Sequence, residues 1–111
     1  MRMFIIVRTS FEALHQWKDC PIKEVDFLKY PHRHIFHVEA KFQVTHNDRD
    51  KEFIVAKRRL TEFVRDTFEG KSLGSTSCEM MCEAIYKEFK LFGLKSVKVF
   101  EDDENGAELI V

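Results

Sequence analysis

The chain has 111 residues, of which 44% are apolar and 33% charged, with a formal net charge of −1. That length and mixture predict one soluble globular domain over residues 1–111, with a core of modest size. The near-zero charge gives no bulk electrostatic case for nucleic acid, and no apolar run is long enough to cross a membrane.

The opening "MRMFIIV" has too short an apolar part for a signal peptide and no small-residue cleavage site, so it reads as a first strand ending near Thr9. Residues 10–34 show no clean period and read as a connection of roughly 25 residues, a length that in small domains is functional or disordered. It holds Trp17, Pro21, Pro31 and most of the histidines. From Ile35 to Thr45 the alternation is nearly complete. Phe36, Val38, Ala40, Phe42 and Val44 share one face; His37, Glu39, Lys41, Gln43 and Thr45 share the other. His32 and His34 have the parity of the apolar set.

"HNDRD" is a turn, and the period then becomes helical from Lys51 to Phe68. "EGKSLGS" ends that helix with two glycines. A second helix follows, with Thr76 and Glu79 at capping-box spacing, an apolar stripe of Met81, Ala84, Ile85, Phe89 and Phe92, and Gly93 as its C-terminal cap. "KSVKVFE" is a strand, Asn105-Gly106 predicts a tight hairpin turn, and "ELIV" returns as the last strand. The order ββααββ predicts an α+β fold: a four-stranded antiparallel sheet with both helices on one face. Three cysteines, Cys20, Cys78 and Cys82, do not make a disulfide framework, and a reducing cytoplasm fits them best.

Three histidines crowd into "HRHIFH". Two at i and i+2 on a strand can address one ion, and His15 is the natural third ligand, because zinc in catalytic sites takes three protein ligands and keeps one open position. The other reading is three solvated histidines on a loop around Pro31. Spacing alone leaves both open.

"FEALH" at 11–15 and "HRHIFHVEA" at 32–40 together resemble the 6-pyruvoyltetrahydropterin synthase and 6-carboxytetrahydropterin synthase family of tunnelling-fold enzymes. "SCE" at 77–79 and "VKVFE" at 97–101 add to the resemblance, which covers most of the chain. It implies a Zn2+ ion on His15, His32 and His34, with Glu101 anchoring the ring of a pterin substrate and Glu79 as a second substrate contact. It also implies a homo-oligomer, a hexamer or another barrel assembly, with sites between subunits. The activity implied is that of a 6-carboxytetrahydropterin synthase-like lyase acting on 7,8-dihydroneopterin triphosphate, on the route to queuosine-type 7-deazaguanines.

The sequence departs from the family's pattern in three places. Arg33 stands where the family has Gly. The family's cysteine base lies a few residues before its His-x-His, whereas Cys20, the residue that would serve here, is separated from His32 by "PIKEVDFLKYP". The family's Leu-Asp-His stretch is absent from "RDTFEGKSLGS", and neither His37, on the opposite strand parity, nor His46, in a turn, replaces it. Glu24 and Asp26 are loop carboxylates able to act as a base instead. The alternative is a catalytically altered tunnelling-fold protein that binds a pterin or purine-like ligand without the family reaction.

Overall fold

The computed structural model describes all residues, 1–111. Strands β1 (Met3–His15), β2 (His32–Val44), β3 (Leu94–Glu101) and β4 (Asn105–Ile110) form one antiparallel sheet in the order β1-β2-β3-β4. Helices α1 (Phe53–Phe68) and α2 (Cys78–Phe89) lie between β2 and β3 in the chain. α1 packs over β1, and α2 over β3 and β4. Their buried stripes, Ala56, Leu60, Val64 and Phe68 on α1 and Met81, Cys82, Ile85 and Phe89 on α2, close on the inner sheet face in one core cluster. The alternation of β2 settles its face: Phe36, Val38, Ala40, Phe42 and Val44 are all buried.

β1 is longer than the sequence suggests. It does not stop near Thr9 but continues to His15, paired with β2 along its whole length, His15 opposite His32 and Phe11 opposite Phe36. Ser, Glu and Ala weaken the strand signal of "SFEALH", yet Val7, Phe11, Ala13 and His15 keep the buried parity. The connection is therefore residues 16–31, partly a 3-10 segment over Lys23–Lys29 with no buried residue. The "EGKSLGS" break also has a second role. It lies along the free edge of β1, where Gly70 N–H donates to Glu12 O, Leu14 N–H to Lys71 O, Leu73 N–H to Leu14 O and Gln16 N–H to Gly74 O.

Two local expectations shift. The N-cap of α2 is Ser77, whose hydroxyl accepts from Met80 N–H at 3.1 Å; Thr76 instead donates its hydroxyl to Leu73 O. Glu79 is thus an exposed first-turn residue, not a capping-box partner. The β3–β4 reversal is made by Asp102 and Asp103, both left-handed at φ +51° and +58°, with Glu104 N–H donating to Glu101 O. A short polar side chain tolerates that backbone. Asn105-Gly106 already belongs to β4. Gly106 is there for closeness: a Cβ would stand 2.7 Å from Phe100 Cα and 2.8 Å from Val99 C, and nearer still to Val99 O. Gly93 takes the expected left-handed cap, at φ +92°.

Candidate metal centre and cavity

The pairing of β1 with β2 brings the sequence-distant His15 beside His32, and the two-residue repeat puts His34 on the same face. The three rings stand edge to face, with centroids 4.6 Å (His15–His32), 5.4 Å (His15–His34) and 4.9 Å (His32–His34) apart. One nitrogen from each lies within 4.8 Å of the others. The three histidines cluster at one end of the β1–β2 pair rather than scattering over a loop. His37 points to the other face of β2, and His46 lies in the β2–α1 turn near Asp50.

Each imidazole is oriented from behind. His15 Nδ1 is 2.8 Å from the Thr76 carbonyl, His32 Nδ1 is 2.9 Å from the Tyr30 carbonyl, and His34 Nδ1 is 2.6 Å from Asp102 Oδ2. Carbonyl and carboxylate oxygens only accept, so Nδ1 is the donor, and in the neutral imidazole Nε2 then carries the lone pair. Three imidazoles held in that tautomer by oxygens behind them form a donor set for a borderline-soft divalent ion such as zinc. His15, 8% exposed, adds an independent sign: its Nε2 is buried without a hydrogen bond. Glu101 Oε1 stands 3.1 Å away without making that bond; a buried polar atom without a hydrogen bond is costly, and an ion among the three rings would satisfy it. The residues present fit a metal.

Asp102 has two tasks. Besides His34 it accepts the Ile35 N–H at 3.0 Å, and these two bonds, His34 first, hold its carboxyl below the usual range. Nothing local in the sequence marks Asp102 as part of the site; its partner is 68 residues away and only the sheet register brings the two together.

Glu101, the last residue of β3, pairs with Phe36 and so shares the histidine face. Its Oε1 is 3.1 Å from His15 Nε2 and its Oε2 3.5 Å from His34 Nε2. The cavity beside it, about 510 Å³, is lined among others by His15, His32, Trp17, Cys78, Glu79 and Glu101. Glu101 and Glu79, the two carboxylates expected to meet substrate, therefore border one cavity with two of the metal-ligand candidates.

Cys20 is placed differently. It is buried within its own turn, its thiol facing the carbonyls of Ile22 and Val25 at 3.6 and 3.8 Å, and it does not line the cavity. The thiol that does line it is Cys78, with Sγ 4.0 Å from Glu101 Oε1. Burial, then the nearby Glu101 charge, pushes Cys78 up to about 12, so it is a protonated donor at neutral pH. Nothing in the spacing of Cys78 singles it out, because it is the first residue of a helix that reads as core. Glu24 and Asp26, the loop carboxylates, sit in the exposed 3-10 segment and are not among the cavity-lining residues.

No protein-family model matches the chain, and no curated protein does. Solved structures do. The 6-pyruvoyl tetrahydropterin synthase of Caenorhabditis elegans aligns over 100% of this chain and 96% of its own, with a TM-score of 0.77 at 12% identity. The chain has the pterin synthase tunnelling fold. An uncharacterised protein from Wolinella succinogenes shares it, over 99% of this chain and 98% of its own, with a TM-score of 0.75 at 10% identity. The three histidines fall on the β1 end and the β2 start. No helix is long and apolar enough to cross a membrane.

Proposed function

We propose that this protein is a zinc-dependent lyase of the 6-carboxytetrahydropterin synthase type, acting on 7,8-dihydroneopterin triphosphate in the route to queuosine-type compounds. The observation that carries the reading is the clustering of one imidazole nitrogen each from His15, His32 and His34 within 4.8 Å of one another, beside a cavity bordered by Glu79 and Glu101. Zinc, when bound, supplies polarisation of a substrate side-chain oxygen, which acidifies the adjacent C–H. Glu101 accepts the paired N–H groups of a pterin ring, Glu79 adds a second acceptor, and Trp17 offers an apolar face. A homo-oligomeric barrel in the cytoplasm is the assembly that goes with this reading.

The placement of Cys20 favours a second reading, a protein that binds a pterin or purine-like ligand without the lyase reaction. Its thiol faces two backbone carbonyls of its own turn, and a general base must reach the proton it removes. The test is metal content per chain on protein purified without chelators, followed by incubation with dihydroneopterin triphosphate. Release of triphosphate and acetaldehyde, lost in His34→Ala and kept in His46→Ala, supports the lyase. Stoichiometric pterin binding with no product after long incubation supports the binding protein.

A further inference from the structure

A buried thiol is usually a small apolar filler, and Cys82 is one: its Sγ faces the backbone carbonyls of Val97 and Ala107 at 3.7 and 3.6 Å. Cys78, one turn earlier on α2, is also buried but differently employed. Its Sγ lines the cavity and stands 4.0 Å from Glu101 Oε1, at the long end of a thiol donor's reach. The Ser77 cap immediately before it fixes the start of the helix. Glu101 needs a donor. Its side chain is 34% exposed, and its other polar neighbours are His15 Nε2 at 3.1 Å and His34 Nε2 at 3.5 Å. Both imidazoles donate from Nδ1, to Thr76 O and to Asp102, so in the neutral ring neither Nε2 has a proton to offer. The S–H of Cys78 is the donor that remains. Burial, then the Glu101 charge, pushes its pKa up to about 12, so the proton is present at neutral pH.

We propose that Cys78 is a positioning residue for Glu101: its S–H holds the carboxylate at the cavity, in the orientation that receives the paired N–H groups of a ring. The proposal rests on the pterin-site reading above and adds to it a residue that acts through Glu101 rather than on the ligand. A glutamate side chain has several rotamers, and fixing one before the ligand arrives removes part of the ordering cost of binding. An ionised carboxylate has about four lone-pair sites; the thiol occupies one and leaves the others for the ring. The start of α2 thereby serves both ends of the site, with the Thr76 carbonyl behind His15 and the Cys78 thiol beside Glu101.

The test measures binding of unsubstituted pterin, followed by its own fluorescence, to the full chain as purified and to three variants. Cys78→Ala is expected to weaken pterin about two- to tenfold, the worth of one hydrogen bond, with metal content per chain unchanged. Cys78→Ser returns a donor and is expected to recover most of that loss, whatever it costs in urea unfolding. Cys82→Ala removes a thiol that does not line the cavity and is expected to bind pterin as wild type does. Wild-type affinity in Cys78→Ala overturns the proposal. So does Cys78→Ser binding no better than Cys78→Ala, and so does an equal loss in Cys82→Ala, which would mark the effect as packing. In each of these the wild type still binds pterin, and the reading of the site stands. Wild-type protein that binds no pterin overturns both.

Discussion

Asn in place of Asp102 removes one charge and changes almost nothing else in shape. The position is left-handed, at φ +51°, which Asn tolerates as well as Asp. The carboxylate now accepts from His34 Nδ1–H at 2.6 Å and from Ile35 N–H at 3.0 Å. An amide has one accepting and one donating end. If its oxygen keeps the Ile35 N–H, its NH2 faces His34 Nδ1, and the imidazole must move its proton to Nε2, which blocks the metal-binding lone pair. If the amide flips, its oxygen serves His34 and two donors collide at Ile35. The first orientation keeps both bonds but opposes the ligand tautomer, and the second keeps the tautomer but loses the Ile35 bond. Outer partners of ligating histidines are worth roughly 10–100-fold in metal affinity, and Asp102→Asn is expected to weaken Zn2+ by that factor. Competition against a chromophoric chelator at neutral pH measures it, with urea unfolding of the apo-protein as a check on the fold. Affinity indistinguishable from wild type would refute the claim that Asp102 sets the state of His34.

Other expectations follow from the same geometry. His32→Ala removes a ligand outright and should lose more affinity than Asp102→Asn, whereas His46→Ala, in the distant turn, should lose none; metal content by mass spectrometry separates them. Gly106→Ala drives a methyl into backbone at 2.7 and 2.8 Å, so relief requires β4 to move, at about 3 kcal/mol from overpacking and lost ladder bonds. Gly70→Ala, with nothing within 4 Å of the new atom, should pay only left-handed strain of about 1 kcal/mol; equal melting temperatures for the two variants would count against the close approach. Burial pushes the Cys82 thiol from 9.0 up to about 11. The neutral form is favoured in the folded state, so this stability is full below pH 9.0 and lost as pH rises toward about 11. The stability difference between wild type and Cys82→Ala should therefore fall across that window, and a flat difference in urea unfolding would contradict it.

How much of this was legible in the sequence depended on how local each signal is. The alternation of β2 and the i, i+4 stripes of the helices come from nearest neighbours along the chain, and they placed Phe36, Phe42, Leu60 and Ile85 in the core. The second half of β1 was hidden because its residues lack strand character and are held by pairing with β2 and with the 70–74 segment. Two turn signals were misplaced by a residue or a few. Ser77 rather than Thr76 caps α2, and the aspartates rather than Asn105-Gly106 make the hairpin. In both cases neighbouring residues compete for the same role, and tertiary contacts choose between them. The histidine triad needed a register to become a site, and "FEALH" with "HRHIF" conveyed it only through likeness to a family. Asp102, the Thr76 carbonyl and Cys78 reach the site across folded distances that no spacing rule encodes.

The 16–31 connection begins and ends on candidate ligands, His15 and His32. Between them it is lightly held. Trp17 N–H donates to Leu28 O, the Gln16 side chain to Lys29 O, and Cys20 packs beneath, while Ile22, Phe27 and Tyr30 stand in solvent. Segments with few buried contacts open locally at small free energy. An ion gripped at both ends would act as a clasp on this flap, shrinking the excursions its ends permit without touching any residue within it. Amide exchange and protease nicking along 16–31 would then report on metal occupancy at a distance, and the rim of the cavity, Trp17 included, would be ordered by the atom it surrounds.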